Sequence, residues 1–102
     1  MAPLPPEYEI ASPSGNKVIF FSGDTFTIRI AAEPGIEEYL NSLEVYFALG
    51  DADMTPKEIN FTYDSEFGEY KLNTLPAPSN KGTGTGICKV GEKQKTFPYT
   101  IQ

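Results

Sequence analysis

Asp51 and Asp53, in Gly-Asp-Ala-Asp, have the residue types and spacing from which a loop could offer hard oxygen ligands to calcium. Asp64, Glu66 and Glu69 could add to them from a second loop. The segment lacks the Asp-x-Asp-x-Asp-Gly continuation of a dedicated calcium loop, and loop acids are ordinarily just solvated. We therefore assign no metal, and name Asp51 and Asp53 as the residues calcium would need. The same carboxylates would be the pair required for glycoside hydrolysis. A chain of 102 residues leaves little room for a cleft around such a pair.

The chain has no His, so Ser/His/Asp and Cys/His nucleophilic chemistry is closed to it, as is His-based zinc or copper ligation. Its single Cys88 cannot form an internal disulfide and reads as a small buried hydrophobe. Lys81-Gly-Thr-Gly-Thr-Gly86 is glycine-rich, but no Gly-Lys-Ser/Thr follows, so it reads as a flexible loop entering a strand, not a phosphate cradle. We expect no catalytic residues, no cofactor and no enzyme activity.

Surface aromatics remain. Tyr46 is placed outward on a strand and Phe67 at a hairpin tip. Either could anchor a protein partner, and an exposed Tyr could stack on a sugar face, which makes carbohydrate a second ligand class. Without Trp, a flat sugar platform would have to be built from Tyr. Asn60-Phe61-Thr62 matches a glycosylation acceptor, to which the sequence adds no further support.

Net charge is −6, which argues against nucleic acid. Residues 33–70 hold ten acids against Lys57, whereas 71–102 hold five lysines, Lys93 and Lys95 among them, against Glu92. That asymmetry suggests an electrically two-ended domain able to meet a partner or copies of itself. Lys93 and Lys95 join Phe67 and Tyr46 as the partner-binding candidates.

These side chains must be positioned by strands. Phe26, Ile28 and Ile30 alternate with Thr25, Thr27 and Arg29, the period-two pattern of a half-buried strand across Gly23–Ala32. Tyr8–Ala11, Lys17–Phe21, Leu43–Leu49, Ile59–Tyr63, Glu69–Leu72, Thr85–Val90 and Thr96–Ile101 read likewise, with a helical turn at Ile36–Asn41. Pro98 should put the last strand on a sheet edge or at a bulge. The expected core is Ile19, Phe26, Ile28, Ile30, Val45, Phe47, Phe61, Tyr63, Tyr70, Leu72, Tyr99 and either Ile87 or Cys88. About seven short strands at this spacing mean an all-β antiparallel sandwich. No run is long and apolar enough to span a membrane.

The run Ile-Ala-Ser-Pro-Ser-Gly-Asn-Lys with Ser-Gly-Asp-Thr-Phe-Thr-Ile-Arg-Ile resembles the opening of bacterial and phage immunoglobulin-like domains. It departs from antibody-type domains in having no Cys pair and no core Trp. The resemblance implies an immunoglobulin-like β-sandwich over residues 7–102, preceded by a proline-rich arm at 1–6. It further implies a structural, protein-binding attachment module, similar to the decoration proteins of phage capsids. The alternative is a carbohydrate-binding or adhesion module excised from a larger secreted protein. Met1-Ala-Pro-Leu-Pro-Pro is not a signal peptide, so we expect cytoplasmic synthesis, with a final place on a virion in the first reading and outside the cell in the second. Replacing Ile28 or Phe47 by Ala should cost roughly 2–5 kcal/mol in urea unfolding, and wild-type stability in either variant would overturn the strand register.

Overall fold

A strand buried on one face shows its alternation in its exposure, and that pattern orders this chain. The computed structural model describes residues 6–21, 24–72 and 81–102, with the backbone of 75–76. The proline arm before Pro6 and residues 22–23, 73–74 and 77–80 lie outside the described residues. In chain order the elements are β1 (Tyr8–Ser12), β2 (Val18–Phe20), β3 (Thr25–Phe26), β4 (Arg29–Ala32) and α1 (Glu37–Asn41). β5 (Val45–Leu49), β6 (Ala52–Asp53), β7 (Thr62–Asp64), β8 (Glu69–Lys71), β9 (Leu75–Pro76), β10 (Gly82–Val90) and β11 (Lys93–Ile101) follow.

Two sheets face each other. One has the order β1-β4-β8-β7, the other β2-β11-β10-β5-β6, and β3 pairs with β9 in a small separate ladder. Pairing is antiparallel except between β11 and β2, which run parallel. The chain thus starts in one sheet and crosses to the other after Ser12. The first sheet has the four-strand division, and β5, β10 and β11 the three-strand division, of an immunoglobulin sandwich. The fold is an immunoglobulin-like β-sandwich.

Three alternate positions of β10, passing from exposed Gly82 to buried Gly86, carry no side chain. Gly82, Gly84 and Gly86 stand opposite Ile101, Tyr99 and Phe97 of β11. A methyl group on Gly86 would fall 2.7 Å from Phe97 Cε2 and 2.9 Å from Leu49 Cδ2, so the Phe97 ring lies across bare backbone. Phe97 stacks on Phe47 at 6.0 Å, Phe47 on Phe26 at 5.4 Å, and Phe26 meets the edge of Phe20 at 5.6 Å. This aromatic row, with Ile28, Ile30, Tyr70 and Val90, forms the interior. Cys88 is fully buried within it, as expected; Ile87 is half-buried on the opposite face.

Several expectations need correction. Ile19, placed in the core, is 52 % exposed: β2 buries one face only, and Phe20 takes it. The Gly23–Ala32 strand breaks at Thr27 and Ile28, because β3 pairs with β9 while β4 pairs with β1 and β8. The segment Gly82–Gly84, expected as loop, is strand: it pairs with Tyr99–Ile101, and Gly84 makes room for the Tyr99 ring. The expected edge strand Thr96–Ile101 is interior at its end, where Tyr99–Ile101 pairs with β2 as well as β10. Pro98 falls just before that second pairing begins, where the missing N–H costs no ladder bond to β2. Ala48, on the outward parity of β5 with Tyr46, is nevertheless buried, with Ile87 and Asp53 as its cross-strand partners.

Gly86→Ala should destabilise by about 1–3 kcal/mol through overpacking, and Phe97→Ala by about 3–5 kcal/mol. Because one residue occupies the space the other leaves, the double variant should cost less than the two singles summed. Strict additivity in urea midpoints would remove the proposed coupling.

Candidate functional site

The acids that calcium would need are not brought together. Asp51 lies in the β5–β6 turn and Asp53 in β6 of one sheet, while Asp64, Glu66 and Glu69 belong to the β7–β8 hairpin of the other. Asp53 is exposed; hydrogen bonds from Thr55, one of them from its backbone N–H at 3.0 Å, hold the carboxyl below its usual range. Asp64 caps its own hairpin, accepting from Glu66 N–H at 3.1 Å, and takes Arg29 Nη1 at 3.3 Å. Glu69 lies 4.0 Å from the same guanidinium. Among the described residues no group of three or more acids, Cys or His could hold a metal.

Phe67 is both tucked and presented. Its ring lies 4.9 Å under the Arg29 guanidinium, yet the residue is 64 % exposed at the hairpin tip. Tyr46 points outward from β5 opposite Lys89, 44 % exposed, as its register predicts. Lys93 is paired with Glu9 Oε1 at 3.3 Å and lies 6.0 Å from the Tyr8 ring centre. Lys95 is half-buried opposite Cys88. The four candidates are therefore split over three places: Tyr46 on an outer sheet face, Phe67 on a hairpin of the other sheet, and the lysines beside β1.

The two charge blocks do not fold into two ends. Antiparallel pairing returns Lys93 beside Glu33 and Glu92, where all three line one groove, and Gly91 N–H donates to Glu44 O at 2.8 Å. Basic and acidic segments are interleaved at the loop end of the sandwich.

That groove, of about 1070 Å³, runs between the start of β1, α1 and the β10–β11 turn. Ile36, Tyr39 and Leu43 give it half-buried apolar walls. Sequence reading missed it because Ile36, Tyr39 and Leu40 look like one packing face of a helical turn. Only Leu40 of the three is fully buried.

The second feature is an outer sheet face. On β2, β11 and β10 its positions are Ile19, Thr96, Pro98, Thr100, Thr83, Thr85 and Ile87, an uncharged stretch reaching toward Tyr46. Phe21, just past β2, is 59 % exposed. The signal was present in Val18-Ile19-Phe20-Phe21: four consecutive apolar residues in a strand cannot all face one core.

No protein-family model matches the chain, and no curated relative does. Among solved structures it is similar to an IG27 protein domain, with 13% identity, 98% of each chain covered and a TM-score of 0.52. It is also similar to the titin M10–obscurin-like 1 Ig complex, at 20% identity over 85% of this chain and 86% of that one, TM-score 0.42. A chimeric titin Z1Z2 bearing a decorin peptide gives 14% identity, 95% and 96% coverage, and TM-score 0.42. At such identities the first likeness speaks for the immunoglobulin-like fold alone.

Burial pushes the Cys88 thiol from its ordinary 9.0 up to about 12. Below pH 9 the thiol is protonated in both states; above it only the unfolded chain ionises, so stability falls as pH climbs toward 12. Burial raises Tyr8 in the same direction, above its ordinary 10.0. Cys88→Ala should flatten this alkaline loss, by about 2 kcal/mol near pH 10.5, in urea titrations at several pH values. Equal slopes for both proteins would show that Cys88 is not sequestered.

Proposed function

We propose that this chain is a non-catalytic attachment module that binds protein to protein through the outer face of the β2-β11-β10-β5 sheet. The observation that carries this reading is the exposure of Ile19 and Phe21 beside an uncharged row of Thr and Pro. Apolar side chains more than half open to water, beside a row of uncharged cross-strand partners, favour a dry protein contact over solvation. Charge returns at the border of the row, where Lys89 of β10 stands opposite Tyr46 of β5.

The finer reading places the module on a larger assembly, such as the surface of a phage capsid. It rests on the resemblance of the chain's opening to bacterial and phage immunoglobulin-like domains, with residues 7–102 as the attached unit and 1–6 as tether. Edge pairing by Thr96–Ile101 plays no part in it, since β2 already covers Tyr99–Ile101. Carbohydrate binding is the competing reading. Tyr46 would be its stacking ring, with Phe67 away on the other sheet.

Sedimentation of the native source, with the chain tracked by mass spectrometry, tests the reading. Wild-type protein should travel with a heavy particle, and Ile19→Asp should weaken that association about tenfold while leaving the melting temperature within a few degrees, because the side chain is exposed. Retained binding in Ile19→Asp would move the contact elsewhere. Saturable glycan binding lost in Tyr46→Ala would replace it with the carbohydrate reading.

A further inference from the structure

The groove at the loop end differs from the uncharged face in chemistry. Its apolar walls, Ile36, Tyr39 and Leu43, are topped by the exposed carboxylates Glu7, Glu33 and Glu92. Lys93, the lining cation among the described residues, is held by Glu9. The rim therefore keeps an unbalanced negative charge.

The walls are also set in place before any partner arrives. Ile36 N–H donates to Tyr70 Oη at 3.1 Å, and Phe61 N–H donates to Asn41 Oδ1 at 2.8 Å, tying both ends of the α1 segment to the first sheet and the chain leading into it. Tyr8 Oη donates to Val90 O at 2.8 Å, and Gly91 N–H to Glu44 O, which fasten β1 and the β10–β11 turn. A preformed site loses little conformational entropy on binding.

We propose that this groove docks a cationic segment of a partner protein, a lysine or arginine flanked by an apolar side chain. The apolar neighbour would lie against Ile36 and Leu43. The cation would sit at the Glu33 and Glu92 rim. Charge complementarity selects this occupant. A second copy of the chain, at −6 overall, would bring like charge to the rim.

The test is a titration of the isotope-labelled full chain with a hexapeptide of alternating Lys and Leu, read by amide chemical shifts. Shifts should concentrate at Ile36, Tyr39 and Gly91 and should fade at high salt. The Glu33→Gln/Glu92→Gln variant, altered only at exposed positions, should bind about fivefold more weakly. A Glu/Leu peptide should not bind, and a Lys/Ser peptide should bind more weakly than Lys/Leu. Equal affinity for Lys/Ser would reduce the effect to surface charge and overturn the proposal, as would shifts centred on Asp51 and Asp53. Shifts at the groove on raising protein concentration alone would give it to a second copy instead. Since the uncharged face is not involved, its failure as a docking surface would leave these outcomes unchanged.

Discussion

Phe97 can lie across β10 because Gly86, its cross-strand partner, has no side chain to hold it off. The rest of the interior depends on that approach. With Phe97 down, Phe47 and Phe26 stack in turn, and the row closes on Phe20, linking β11, β5, β3 and β2. Antibody-type domains pin their sheets with a disulfide packed on a Trp. Here Cys88 stands alone on β10, and the aromatic row fills the interior without a covalent link. A core built this way depends on shape complementarity, so it tolerates neither added methyls at the glycines nor lost rings opposite them.

The same economy appears at the ends of the sandwich. A tyrosine hydroxyl is seated close to a turn glycine at each: Tyr99 by Gly50 and Tyr8 by Gly91. Gly91 also takes φ +61 at the first position of the two-residue β10–β11 turn, a conformation costly for other residues. That turn in turn fixes the wall of the acidic groove. Packing of the interior and placement of the groove are thus one arrangement, reached through Tyr8, Val90 and Gly91.

Charge and exposed apolar groups are combined differently on each surface. Arg29 gathers Asp64, Glu69 and the Phe67 ring on the outer side of the first sheet, which occupies two of the hairpin's three carboxylates internally. The second sheet is left with an uncharged outer row, and the loop end with carboxylates over apolar walls. Each surface favours a different class of contact, one driven by desolvation and one by complementary charge.

Alternation of residue types was enough to determine the fold class. It placed Ile28, Ile30, Phe47, Tyr70 and Leu72 in the interior and turned Tyr46 outward. Such patterns are local, because a strand's two faces are set by neighbours along the chain. The absence of His and of a Cys pair was equally decisive about chemistry, since no fold can supply a missing side chain. Partnership between strands was not local. Whether Ile19 or Phe20 went inside depended on β2 joining β11, 81 residues away along the ladder Val18–Tyr99 to Phe20–Ile101. Whether Gly82–Gly84 was loop or strand depended on its pairing with Tyr99–Ile101. The spread of the four candidate residues over three surfaces, and the return of Lys93 to the acids of residues 33–44, were decided by antiparallel pairing that brings distant segments together.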